Sequence, residues 1–212
     1  MGPTEISNMA LGRIGSARID SYDADASVPA QLCRLHYEQT MNALIRLMQP
    51  RCARDRATLS ANLEYDADDN TFEYDYAYDL PADFLAMLKP YEGAPGITGT
   101  YYNYSPEGKQ ILSNEDEMEI RYLRKVKDEN DLDPLFVEIF VLQLAIKLVM
   151  PISQDRILRR ELDIELWGTP RQPGLMSRVR QMDKEETNTA GQNLAQTWND
   201  AMEAGIRDPL YL

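Results

Sequence analysis

The chain is poor in the residues that most often carry chemistry. Of its 212 residues only one is histidine, His36, and two are cysteine, Cys33 and Cys52. Cys33 and His36 are three apart, close enough on a helix to share a metal. No other residues supply the further ligands that a zinc site requires, so the pair is expected to be part of a packed helix face. Nucleophilic catalysis needs a Ser or Cys with a positioned base, and the one histidine lies in mid-helix with no G-x-S-x-G anywhere. Basic residues are few beside acids, 22 against 35, for a net charge of −13. Binding duplex nucleic acid by neutralising phosphates needs the opposite balance. No apolar run approaches the ~18 to 20 residues of a membrane span. The opening MGPTEISNMALGRIG has no basic segment followed by an apolar one, so a signal peptide is not expected, and the cysteines are expected as free thiols in a reducing cytoplasm.

What the chain does have is enough apolar residues, 43%, for a buried core, and an unevenly spread charge. Residues 1–60 sum to +1, residues 61–135 to −12 and residues 136–212 to −2. Such an acidic middle either keeps a surface solvated or sits beside nucleic acid and repels it.

Helical periodicity marks both ends of the chain. A first helix is predicted from Thr4, with Glu5 in its first turn, Ile6, Met9, Ala10 and Ile14 as its apolar side, and Gly12 and Gly15 weakening its end. From Val28 to Met48, Cys33, Tyr37, Met41, Leu44 and Met48 recur at helical spacing, after a cap at Ser27 or Asp25 and with Pro29 in the first turn. Val28, Leu32 and Leu35 lie nearly opposite, so this helix is expected between two neighbours. Asp133-Pro134 opens a helix with two apolar stripes, Leu135, Ile139, Leu142, Ile146 and Val149, and Phe136, Phe140, Leu144 and Leu148. It is predicted to be the most buried helix and to end at Pro151. Ser153 is the expected cap of the next helix, which closes at Gly168. A last segment, about 176–205, is polar at its centre, and the ending IRDPLYL is apolar without a period.

Between these lies a different texture. FEYDYAYDL alternates Phe72, Tyr74, Tyr76 and Tyr78 with acids, which reads as a half-buried strand. PADFLAML reads as a short helical turn ending at Pro90. KQILS and MEIRYLRKV read as two more strands, joined by the acidic turn NEDE, in an antiparallel module of three to five strands. Asp66, Asp68 and Asn70 match the start of a calcium loop, but Thr71 stands where its glycine belongs and Ala77 where its glutamate belongs. A solvated acidic turn is the expectation there. Paired carboxylates do acid–base work in many enzymes, but spacing selects no two of 35 acids.

Several motifs occur in an order that resembles a known family. Ile6-Ser7-Asn8-Met9-Ala10-Leu11-Gly12-Arg13-Ile14-Gly15, with Ile19-Asp20-Ser21, is similar to I-x-N-x-A-L-x-R-I-G-x-x-x-I-x-S at the start of the head-to-tail adaptors of short-tailed bacteriophages, the tail tubular protein A family. Asp23 and Asp25 stand for the family's acidic linker, and Cys33-Arg34, Tyr37, Leu44 and Ile45 match its next helix. Tyr78-Asp79-Leu80-Pro81-Ala82-Asp83-Phe84-Leu85 looks like its Y-x-L-P-x-D-x-L element. Ile120-Arg121-Tyr122, Asp133-Pro134-Leu135-Phe136 and Met150-Pro151 follow in order. The similarity spans residues 5 to 170 and departs from the pattern at Gln49 to Arg51, where the family has a pair with an aromatic residue, such as Pro-Trp.

The resemblance implies an α+β, mainly α fold: a helical bundle from residues 1–50 and 132–212, carrying a small antiparallel β module at 51–131. It implies a structural protein rather than an enzyme, with no cofactor. Twelve copies would form a ring in the virion tail, below the portal and above a nozzle protein similar to tail tubular protein B, after assembly in the host cytoplasm. Duplex DNA would pass through the ring without specific binding, and no membrane would be involved. The expected bundle core is Tyr37, Met41, Leu44, Leu135, Ile139, Leu142 and Ile146. The expected portal contact is Asp208, Pro209, Leu210, Tyr211 and Leu212, and the β module is expected to face outward or toward the distal tail. The competing expectations are an acidic cytoplasmic protein-binding module, a DNA mimic or scaffold, and an enzyme using scattered carboxylates.

Overall fold

A computed structural model describes residues 1–62, 74–88, 104–115 and 117–182. The fold is α+β and mainly α, a helical bundle with small antiparallel sheets. Its helices are α1 (Pro3–Arg13), α2 (Val28–Met48), α3 (Pro134–Ile152) and α4 (Arg156–Trp167), and residues 175–182 are also helical. The strands are β1 (Arg54–Leu59), β2 (Tyr76–Asp79), β3 (Phe84–Met87), β4 (Tyr104–Glu107), β5 (Gln110–Ser113), β6 (Met118–Arg124), β7 (Gly168–Thr169) and β8 (Gln172–Pro173).

Local chemistry sets the helix ends. The Glu5 carboxylate accepts from the Gly2 N–H at 3.0 Å. Gly15, at φ +68°, closes α1: its own N–H reaches Gly12 O and that of Ser16 reaches Leu11 O, the paired bonds of a left-handed helix stop. Ser27 caps α2 through the Ala30 N–H, and Asp25 in turn accepts from the Ser27 N–H at 2.7 Å. Asp133 caps α3 through the N–H groups of Leu135 and Phe136. The cap of α4 is Asp155 rather than Ser153, which instead ends α3, its hydroxyl donating to Val149 O. Pro151 lies inside the last turn of α3, not beyond it, where it has no N–H to donate to the Lys147 carbonyl four residues back.

α3 is the axis of the bundle, with α1, α2 and α4 packed around it. By length and composition its 19 residues, at mean hydropathy 2.1, are apolar enough to cross a membrane, which corrects the expectation that no segment approaches a span. Burial by three helices accounts for that apolarity without a bilayer. Tyr37, Met41, Leu44, Ile139, Leu142 and Ile146 are all buried, as is the second stripe of α3. Leu135 is not part of that core. It is 39% exposed, although Phe136 and Val137 beside it in the same turn are buried. α2 is buried on one side only: Val28 and Leu35 face solvent, contrary to the expected two-sided packing, and Met9 is likewise exposed on α1.

The middle of the chain forms two three-stranded antiparallel sheets, in orders β1-β6-β3 and β2-β5-β4. Six strands thus replace the expected three to five among the described residues. KQILS and MEIRYLRKV are β5 and β6, consecutive yet in different sheets. PADFLAML is not helical: it yields β3, paired with β6 and bulged between Phe84 and Ala86. The period of two in β6 explains the layering. Met118, Ile120 and Tyr122 join Leu59, Tyr78 and Ile111 in a small second core, whereas Leu123 points the other way into the bundle core, beside Ala53 and the partly buried Leu85 and Ala86. The aromatic alternation holds only in part, since Tyr78 and Ala77 are buried while Tyr76 is exposed. Phe72 lies outside the described residues, as do the acids of the apparent calcium loop.

Candidate functional site

The polar motif residues are spread over the fold, and each ties two distant parts of the chain together. Asn8, on α1, holds Ile19 with both ends of its amide. Its Oδ1 accepts from the Ile19 N–H at 2.8 Å and its Nδ2 donates to Ile19 O at 3.0 Å. Thr4 Oγ1 accepts from the Tyr22 N–H at 3.0 Å. From α2, the Arg34 guanidinium donates to Tyr22 O and, at 2.9 Å, to Asp25 O. The connection between α1 and α2 is therefore clamped from both helices.

Tyr37 continues this clamp into the bundle. Its ring meets Phe140 edge-on, with centroids 4.9 Å apart, and Tyr22 lies tilted against it at 5.2 Å. Its hydroxyl donates to Glu129 at 3.2 Å. Burial, with the Glu129 carboxylate second, holds this phenol far above its ordinary range, so it serves as a neutral donor. In the β module, Tyr122 donates to Asp83 at 3.2 Å and stacks on Phe84 at 5.7 Å. Burial and the Asp83 charge push its phenol up to about 12. Arg124 bridges outward, to Asp131 at 2.9 Å and to Cys52 O, and thereby joins β6 to the loop before α3.

The candidates for chemistry stay apart. Among the described residues no group of three His, Cys, Asp or Glu is placed to hold a metal. Cys33 is fully buried, and burial pushes its thiol up, away from the reactive thiolate. Cys52 is half-buried, and neither thiol is bonded to the other. Asp208 to Leu212 lie outside the described residues, as does the acidic stretch 183–186. No protein-family model matches this chain, and no curated protein matches it at a significant level.

Two surface features escaped the sequence reading. One is an exposed strip on α4, Ile157, Ile164 and Trp167, set opposite its buried Leu162 and Leu166. The alternation of stripes was present in the sequence, but Arg and Glu between the outer residues disguised it. The other is a cleft of about 580 Å³ between α1 and the first half of α3, lined in part by Met9, Leu132, Val137 and Val141. Its residues come from two stretches far apart in the chain, 1–13 and 129–141, so no local pattern announces it.

Proposed function

We propose that this protein is a structural head-to-tail adaptor of a short-tailed bacteriophage. Copies of it form a ring between the portal and the tail nozzle, and duplex DNA passes through the lumen without being gripped. The observation that carries the reading is the role of the motif residues. Asn8, Arg34, Tyr37, Asp83 and Tyr122, which carry the resemblance, bind the chain to itself and do not converge on a cleft. That is what a mechanical part needs, where geometry rather than reactivity is under selection. The charge agrees: an acidic channel wall repels phosphates, whereas a basic one binds them. The adaptor needs no cofactor, and its place is the virion tail.

The acidic middle, −12 over residues 61–135, also favours the second reading, a protein-binding module that mimics DNA. The two readings differ in partner. The adaptor docks on a portal ring, and its tail, Asp208 to Leu212, makes the contact. Removing those five residues should weaken docking on the portal and leave the melting transition unchanged. Unchanged docking removes the tail from the interface. In this reading the β module faces outward or toward the distal tail proteins. Its role is best probed by surface substitutions, because replacing it with a linker would strip Leu123 from the bundle core.

A further inference from the structure

Two glycines press backbone against backbone where the chain turns from α4 into the helical segment 175–182. Gly168 ends α4. Its N–H reaches Ile164 O, and its φ of +86° with ψ of −170° lies in a region that only glycine enters without strain. Gly174 opens the next helix, its carbonyl accepting from the Arg178 N–H at 3.2 Å. Between the two, β7 and β8 pair Gly168 with Pro173 and Thr169 with Gln172, around the turn residues Pro170 and Arg171. A Cβ on Gly168 would stand 2.5 Å from Gln172 O and closer still to Gly174 N. One on Gly174 would stand 2.5 Å from Leu166 O and closer still to Gly168 N. The obstacle at both positions is backbone, not a side chain that could swing aside.

The segment that follows is held at its other end too. Met176 and Val179 are buried in the bundle core. Arg180 donates to Leu47 O at 3.1 Å, in the last turn of α2, where helix carbonyls have no partner within the helix. Pro170 and Pro173 each fix a backbone torsion in the connection. The chain is therefore delivered by one stiff route from the end of α4 to the C-terminal end of α2.

We infer that the Gly168–Gly174 contact is a rigid elbow, which sets the point from which residues 183–212 start. Its consequence for docking rests on the adaptor reading above, which puts the portal contact at Asp208 to Leu212. An elbow that yields would start that segment from the wrong place.

Hydrogen exchange of the full chain tests it. Gly168→Ala and Gly174→Ala should speed exchange at amides 178–182 by about tenfold or more, with the amides of α3 still protected. Gly12→Ala, whose added Cβ meets nothing within 4 Å among the described residues, should match the wild type. Unchanged protection at 178–182 in both elbow variants would overturn the inference. Should an elbow variant unfold throughout, Arg180→Ala decides. It removes the far contact and keeps the elbow, so exchange at 178–182 should rise only a few-fold. Full release there would show that Arg180, not the elbow, holds the segment. Where the wild type docks on portal rings, the elbow variants should dock several-fold more weakly, and undiminished docking with the segment released would overturn the elbow's part in aiming it. A wild type that never docks, with the expected exchange pattern, would sink the adaptor reading and support the elbow.

Discussion

Asn8 has a larger role than its size suggests. A single amide satisfies both backbone groups of Ile19, partly buried and with no other partner from a helix or sheet. Asn8→Ala should therefore cost about 1–3 kcal/mol, the penalty for leaving such groups unmatched, measured as a drop in the urea midpoint. A loss near zero would mean that water replaces the amide. Tyr122 gives a residue-scale prediction of a different kind. Its folded pKa, about 12, stands above the unfolded value of ~10, so its contribution is complete below pH ~10 and is lost as pH rises toward ~12. Stability of the wild type should fall more steeply across that window than stability of Tyr122→Phe. Parallel curves would contradict the assignment. Tyr22 and Tyr37, both raised, steepen the fall in either protein alike. None of these pairings was legible beforehand. The motif named Asn8, Arg34 and Asp83, but their partners lie 9 to 39 residues away and are set by packing.

Elements were more legible where the chain carries its own punctuation. α2 and α3 begin with a capping side chain followed by proline, and their limits follow from that chemistry. The segment at β3 opens with Pro81 and Asp83, which read as the start of a helical turn, and is nevertheless a strand. Asp83 is drawn to the Tyr122 hydroxyl and Phe84 stacks on the same ring, so a tertiary contact overrides the local preference. β1 was unreadable because RDRATL has no apolar alternation, and it lies exposed at a sheet edge. Leu135 shows the limit of stripe counting: the period is correct, but at the start of α3 only the side carrying Phe136 and Val137 is covered. The same distinction predicts two mutants. Phe140→Ala, at the meeting of α2 and α3, should cost about 3–5 kcal/mol, whereas Leu35→Ala, on the outer side of α2, should stay within ~0.5 kcal/mol. Equal effects in thermal melts would mean that the outer side of α2 is covered after all.

For the whole molecule the decisive quantities are charge and copy number. In a ring of the proposed kind, the net charge of −13 per chain would be multiplied into a field that disfavours phosphate, with the acids between Glu64 and Asp133 as its main source. Isolated protein should show no measurable affinity for duplex DNA at ~50 mM salt, where phosphate contacts are strongest. Tight, salt-dependent binding in a fluorescence titration would defeat the idea of a repulsive channel. The claim on which the rest depends is assembly on a portal. Electron micrographs of this protein mixed with the portal protein of the same phage test that claim most directly. The account predicts portal rings extended by a second, coaxial ring of this chain. Bare portal rings among unattached monomers, at every mixing ratio, would contradict it.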